Sequence, residues 1–349
     1  MTSGRIISRL LLFAFLFPVT VGCAPSSDIY RYTFRGMTMG TTFSVTVVGE
    51  LLSDQRQTEL EISIKDQLDK LDAMMSTYKP DSEVSRFNDW ESSDWFGVSP
   101  DTAKVFQYAQ EVSEVTGGAF DVTVAPLVDA WGFGPLGPLN TLPADSDINR
   151  LLGSVGFRQI EVNDIRPAVR KTSIHVKADV SAVAKGYAVD RVADLLDARS
   201  YDSYLIEIGG EVRTQGHREG GQSWRIGIEQ PTESLEVFQK VIQLTDAALA
   251  TSGDYRNYFE LDGVRYSHTI DPRTGRPVTH ELAAVSVIDV LCVRADALAT
   301  ALEVLGPDEA YDLAEELGLA VLLIIREEDG SYRELFTPSF LSRTVDPTG

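Results

Sequence analysis

The feature that most limits what this chain can fold into is an abrupt change of apolar period near its start. Across the extended stretch from Tyr30 to Val48, Phe43, Val45 and Val47 alternate with Ser44 and Thr46, the two-residue repeat of a strand with one buried face. Soon after, Leu60, Ile64, Leu68, Leu71 and Met75 recur at three- and four-residue steps, the repeat of a helix that buries one stripe. The same switching continues without a fixed rhythm. Ser99-Pro100 supplies an N-cap and a first-turn proline for a second helix, and Gly117-Gly118 marks its end. Residues 132–143, rich in Gly and Pro, read as a loop, and short strands are predicted at 158–162, 173–177, 204–208 and 225–229. A helix over 182–197 carries Ala184, Ala188, Val192 and Leu195; strand 283–290, helices 295–305 and 308–317, and strand 319–325 follow. No internal repeat appears and no regular βαβ alternation, so the predicted class is α+β and not a doubly wound sheet. A helix-rich N-terminal part joined near 132–143 to a sheet-containing part is one arrangement; a single compact unit is the other.

Composition narrows the function. The 349 residues carry a net charge of −21, and the pI near 4.6 argues against a nucleic-acid partner, which demands basic surface. Cys23 and Cys292 alone provide no disulfide framework, and four histidines, none close to another in sequence, provide no His-rich metal site. Arg5 and Arg9 precede an apolar run, Leu10 to Phe17, too short to span a bilayer, and the segment closes on Gly22-Cys23. That ending resembles a bacterial lipoprotein cleavage site, with Thr20 where Leu is usual. Residues 1–22 are therefore read as a signal peptide, Cys23 as the lipidated residue and 23–29 as a tether, with ordinary secretion the alternative. An acidic chain gains nothing from anionic lipid, so acyl chains would hold it to the membrane.

Familiar catalytic signatures fail. Gly132-Phe133-Gly134-Pro135-Leu136-Gly137 satisfies G-x-G-x-x-G literally, but no strand leads into it and Pro135 stands where the helix should begin. There is no phosphate-binding P-loop, no H-E-x-x-H helix and no G-x-S-x-G elbow. What stands out is a series of small and polar clusters in apolar surroundings: Gly36 to Thr42, Gly117 to Asp121, Ala178 to Tyr187, Glu207 to Glu211, Thr251 to Tyr258, Ser267 to Gly275 and Ala295 to Thr300. Glycines let a backbone approach a ligand closely, and backbone N–H groups with nearby hydroxyls can cradle phosphate. Any one cluster alone is ordinary turn chemistry.

In this order, M-G-T, S-T-Y, G-G-A-F-D, A-K-G-Y-A-V-D, S-G-D-Y-R-N-Y, S-H-T-I-D-P-x-T-G and A-D-A-L-A-T-A closely resemble the FAD:protein FMN transferase family, also called ApbE, from about Tyr32 to Thr337. The resemblance implies a T-fold-related α+β architecture of mixed sheets and helices enclosing a flavin cleft, with 30–349 as the transferase domain. It implies Mg²⁺-dependent cleavage of FAD and transfer of FMN to a Thr or Ser of an acceptor, such as a subunit of a membrane redox pump. The expected location is the periplasmic side of a bacterial envelope, on either membrane. It places FAD contacts at Met39, Tyr78, Ala119, Phe120, Asp121, Asp179, Lys185 and Ile270. Apolar and aromatic members suit a flat ring, and the carboxylates can accept from sugar or ring donors. Taken singly, Met39 and Phe120 read as core residues and Lys185 as a solvated lysine; some relatives have Glu at its position.

The same resemblance puts the metal at the Ala182 carbonyl, the Asp296 carboxylate and the Thr300 hydroxyl, with the Ala299 position contributing in relatives that have Asp there. Asp296 and Thr300 lie four apart, on one face of a helix, and hard oxygen ligands favour Mg²⁺. Asp296 read alone is equally an N-terminal helix residue facing the macrodipole. The acceptor hydroxyl needs a base; His268 is the candidate, with Asp271 to orient it and Asp254 as another acid or base. Hydrolysis of FAD to FMN and AMP, and flavin binding without cleavage, are the competing readings.

Overall fold

A computed structural model describes residues 28–135, 137, 141–231, 238–254, 258–261 and 264–343. The signal-peptide and Cys23 expectations lie outside those residues, as do positions 255–257 of the S-G-D-Y-R-N-Y cluster.

Eight strands form the main sheet: β1 (Tyr30–Thr38), β2 (Thr41–Gly49), β3 (Tyr204–Ile208), β4 (Glu211–Gln215), β5 (Ala247–Gly253), β6 (Leu282–Asp289), β7 (Ala320–Arg326) and β8 (Tyr332–Phe336). Their order across the sheet follows the chain, and every neighbouring pair is antiparallel. Strand β2 shows the predicted alternation: Phe43, Val45 and Val47 are buried while Ser44 and Thr46 are not. Strand β7 reads as a continuous apolar run because both its faces are covered. Val321, Leu323 and Ile325 join one core, and Ala320, Leu322 and Ile324 join another.

The larger core lies between the sheet and α1 (Asp54–Met75), α2 (Glu83–Asn88), α3 (Pro100–Val115), α6 (Ser181–Asp197) and α7 (Cys292–Leu305), with α4 (Ala125–Ala130) and α5 (Asp145–Leu152) between α3 and α6 in sequence. The second core covers the sheet's other face, where the hairpin of Trp224–Glu229 and Phe238–Leu244 packs with Phe340 of α9 (Pro338–Arg343); α8 (Pro307–Glu316) precedes β7. The mixed helices and antiparallel sheets are the predicted α+β class. Because β2 pairs with β3, strands from both sides of residues 132–143 share one sheet, so a helix-rich part does not separate from a sheet-bearing part there.

Two sequence expectations are corrected. The predicted strand 173–177 is a turn; the strand is Ala168–Lys171, and the chain folds back because the buried Lys171 ammonium grips the Val176 carbonyl at 3.3 Å. The strand expected over 158–162 is only Ile160–Val162, preceded by a short 3₁₀ turn. Helix α7 also begins at Cys292, ahead of the predicted 295, because its cap comes from elsewhere. Asp190 of α6 accepts the N–H groups of Cys292 (3.0 Å) and Val293 (2.9 Å), and Arg213 balances its charge at 2.6 Å.

Candidate active site

The site is built where α6 crosses α7. A Cβ added at Gly186 would lie 2.5 Å from the Cys292 carbonyl oxygen and 2.7 Å from Asp296 Cβ, so glycine is what lets the helices touch. Across this contact the Gly186 N–H donates to Asp296 Oδ2 at 2.8 Å. In a regular helix that N–H stands over the carbonyl four residues back, so Ala182 O and the Asp296 carboxylate share one neighbourhood. Thr300 follows one turn along α7, its hydroxyl 3.2 Å from Ser252 Oγ on β5. Ala299 is buried in the core and offers no side-chain donor.

Lys185 Nζ stands 2.6 Å from Glu211 Oε1 and 4.0 Å from Asp296 Oδ1. It is an ion-paired lysine, not a solvated one. Glu211 opens β4 after the Gly209-Gly210 turn, and Gly209 abuts Thr41 and Lys185. Thr41 follows Met39 and Gly40, which turn the β1–β2 hairpin at φ of 47° and 74°. Burial pushes the Glu211 carboxyl up to about 8 against the pull of Lys185. Burial likewise raises Asp296, again opposed by Lys185. Burial works against the Lys185 charge, yet Asp296 and Glu211 together hold its pKa above the ordinary lysine value. Two carboxylates facing one ammonium leave a charge deficit that a cation or a proton must fill.

A divalent cation fits that deficit. Glu211 Oε2 is buried without a hydrogen bond, and the surrounding donors are hard oxygens of the type Mg²⁺ prefers. Among the described residues no three His, Cys, Asp or Glu side chains gather into a metal-binding group, so hydroxyl, carbonyl, water and substrate phosphate would complete the shell.

A separate cavity of about 290 Å³ is lined by Tyr78, Asn88, Asp129, Lys177 and Asp179 among others. Tyr78 is 69% exposed at its rim. The Asp179 N–H donates to Val122 O at 2.7 Å, tying the cavity to the Ala119–Asp121 segment. Ala119 and Phe120 are buried, Phe120 within the main core. Asp121 is buried too, and its Oδ1 accepts from the Thr123 N–H (2.7 Å) and hydroxyl (2.6 Å), so it shapes its own loop. Burial raises its pKa despite those bonds. Ile270 packs with Leu127, Trp131 and Ile148, outside the main core. The His268 ring meets Phe133 edge-on, centroids 6.3 Å apart. Asp271, named beside it, accepts from Arg273 through both oxygens, at 2.9 and 3.0 Å. Asp254 is likewise engaged, at 3.1 Å from Arg326.

Sequence reasoning placed Glu211 in a cluster without giving it a role, and missed Asn88 and Asp129. Glu211 carried one signal, an acidic residue directly after a glycine pair. Asp129 carried none, since it reaches the cavity lining only through tertiary packing.

The family profile described as ApbE family matches residues 39–323. The chain belongs to the ApbE family. It is 41% identical, over 96% of this chain and 96% of the relative, to a Vibrio cholerae protein named FAD:protein FMN transferase. An Escherichia coli protein of the same name is 38% identical over 89% of this chain and 88% of its own. Among solved structures, flavin transferase ApbE from Vibrio cholerae superposes with a TM-score of 0.82 at 38% identity, covering 90% of this chain and 100% of that one. The apo form of Pseudomonas stutzeri flavinyl transferase ApbE gives a TM-score of 0.80 at 38% identity, over 90% of this chain and 96% of that one. Within this ApbE chain, the α6–α7 contact and the Tyr78–Asp179 cavity join residues from six of the seven sequence clusters or their immediate borders to one fold.

Proposed function

We propose that this chain is an FAD:protein FMN transferase that joins FMN to a Thr or Ser of an acceptor protein and releases AMP. The observation that carries the reading is its near full-length similarity to relatives bearing that name. The acceptor hydroxyl oxygen forms a bond to the phosphorus on the riboflavin side. The bridging P–O bond breaks, and its electron pair leaves with AMP. His268 takes the hydroxyl proton as the general base.

Tyr78 and Met39 supply aromatic and apolar surface for the ring systems, Asp179 an acceptor for ring or sugar donors, and the buried Ala119, Phe120 and Ile270 pack behind them as support. Asp121 holds the loop between them. Lys185 offers positive charge to the diphosphate, in exchange for part of its pairing with Glu211. Asp296, the Thr300 hydroxyl, the Ala182 carbonyl and the free oxygen of Glu211 would hold Mg²⁺, which when bound stabilises charge on the diphosphate. Cys23 carries the lipid anchor at the periplasmic side of the envelope, and the acceptor is a protein reachable there, such as a subunit of a membrane redox pump. The leader's basic start, short apolar run and Gly22-Cys23 ending support this; among the described residues no helix is long and apolar enough to cross a membrane.

Incubation with FAD, Mg²⁺ and an acceptor subunit tests the reading. A flavin-fluorescent acceptor band in a denaturing gel, with one AMP per flavin, is expected. Free FMN and AMP without a labelled band would establish hydrolysis instead, and intact FAD would establish binding alone.

A further inference from the structure

Lys171 is fully buried, and no mechanism above uses it. Its ammonium donates to three main-chain carbonyls: Asn88 at 2.9 Å, Phe87 at 3.1 Å and Val176 at 3.3 Å. Among the described residues no carboxylate forms an ion pair with it. The first two carbonyls belong to the last turn of α2, where helical acceptors lack intrahelical partners. The third lies in the turn that leads to Asp179. A second stitch joins the same two segments, since the Asn88 side chain donates to Ala178 O at 2.8 Å and accepts the Ala178 N–H at 2.7 Å. Asn88 and Asp89 from one segment, and Lys177, Ala178 and Asp179 from the other, all line the 290 Å³ cavity.

We infer that Lys171 is a positioning residue that sets the width of the flavin-nucleotide cavity by clamping the end of α2 to the segment before Asp179. Burying a cation is costly unless its donors are all used. Here three carbonyl oxygens from two separate segments converge on one ammonium, so removing it takes the donor from the Asn88 and Val176 carbonyls, leaves Phe87 O only its Trp90 N–H bond at 3.2 Å, and frees the two segments to part. A flat ring bound between them is sensitive to shifts well below the size of an atom.

The inference rests on reading that cavity as the FAD site, so the test separates the two. Lys171→Met keeps the aliphatic stem and removes the clamp. The expected result is a KM for FAD raised about tenfold or more, with kcat at saturating FAD within about threefold of the parent. Asn88→Ala breaks the other stitch, leaves the ammonium bonds in place and is expected to raise the same KM; it carries the test if Lys171→Met does not fold. A Lys171→Met protein that melts earlier but binds FAD with unchanged KM below its transition overturns the inference, as does an unchanged KM in Asn88→Ala. Tyr78→Ala is the control. If it leaves FAD binding unaltered the cavity assignment fails and the clamp with it, whereas if it alone weakens FAD the clamp fails and the cavity stands.

Discussion

Glu303 lies on α7 one turn beyond Thr300, fully buried, with neither carboxylate oxygen hydrogen-bonded. Burial pushes its pKa well above the ordinary carboxylate range, the nearby Asp254 charge adds to this, and Arg326 opposes it. The folded state therefore keeps a proton that the unfolded chain gives up. An unpaired buried polar group costs about 1–3 kcal/mol, so Glu303→Met, similar in length and a good helix former, should stabilise the protein by roughly that amount near pH 4.5. The sign of the pH dependence follows from proton counting. Above the unfolded pKa the folded state binds more protons, so parent stability falls as pH rises toward the folded pKa, by up to about 1.4 kcal/mol per pH unit. Glu303→Met lacks that loss, and its advantage should widen with pH across this window. Glu303→Gln separates the two effects, since an amide keeps the unpaired burial but does not titrate. Urea unfolding of all three proteins at pH 5, 6 and 7 measures both. A Met variant less stable than the parent, or an advantage independent of pH, would refute the reasoning.

Asp296→Ala removes the carboxylate that bridges α6 and α7, and flavin transfer in the gel-fluorescence assay should fall by about a hundredfold or more, with loss of response to added Mg²⁺; transfer at the parent rate would remove Asp296 from the site. Gly186→Ala forces a methyl against the Cys292 carbonyl and should lower stability by about 1–3 kcal/mol, read by thermal melting followed by circular dichroism. His268→Gln should reduce kcat by about 10²–10⁴-fold and flatten the acid limb of the pH–rate profile; an unaltered profile points to another base. Cys23→Ser should move the chain from the membrane fraction to the soluble fraction, and continued sedimentation with membranes would exclude lipidation at that residue.

Elements whose signals are local were legible from the chain alone. The strand–helix change from β2 to α1, the Ser99 cap of α3 and the small-residue face of α6 are each written in neighbouring residues. What escaped depends on partners far away in sequence. Helix α7 starts early because a carboxylate about a hundred residues upstream caps it, and the 173–177 segment turns instead of extending because Lys171 holds it. The same division runs through the site. Motif order pointed to Lys185 and Asp296, but that Lys185 faces Glu211 as well as Asp296, and that Asp271 pairs with Arg273, are properties of side-chain pairing that no spacing rule contains.

A sheet whose strands line up in the order they are made can grow edge by edge as the polypeptide is delivered, each new strand docking on the last. The helix bearing Asp296 arrives between the sixth and seventh strands. A chain interrupted before that point would own the lysine and the hairpin turn yet lack the carboxylate that faces them. The contact between α6 and α7 thus closes only once nearly the whole polypeptide is present.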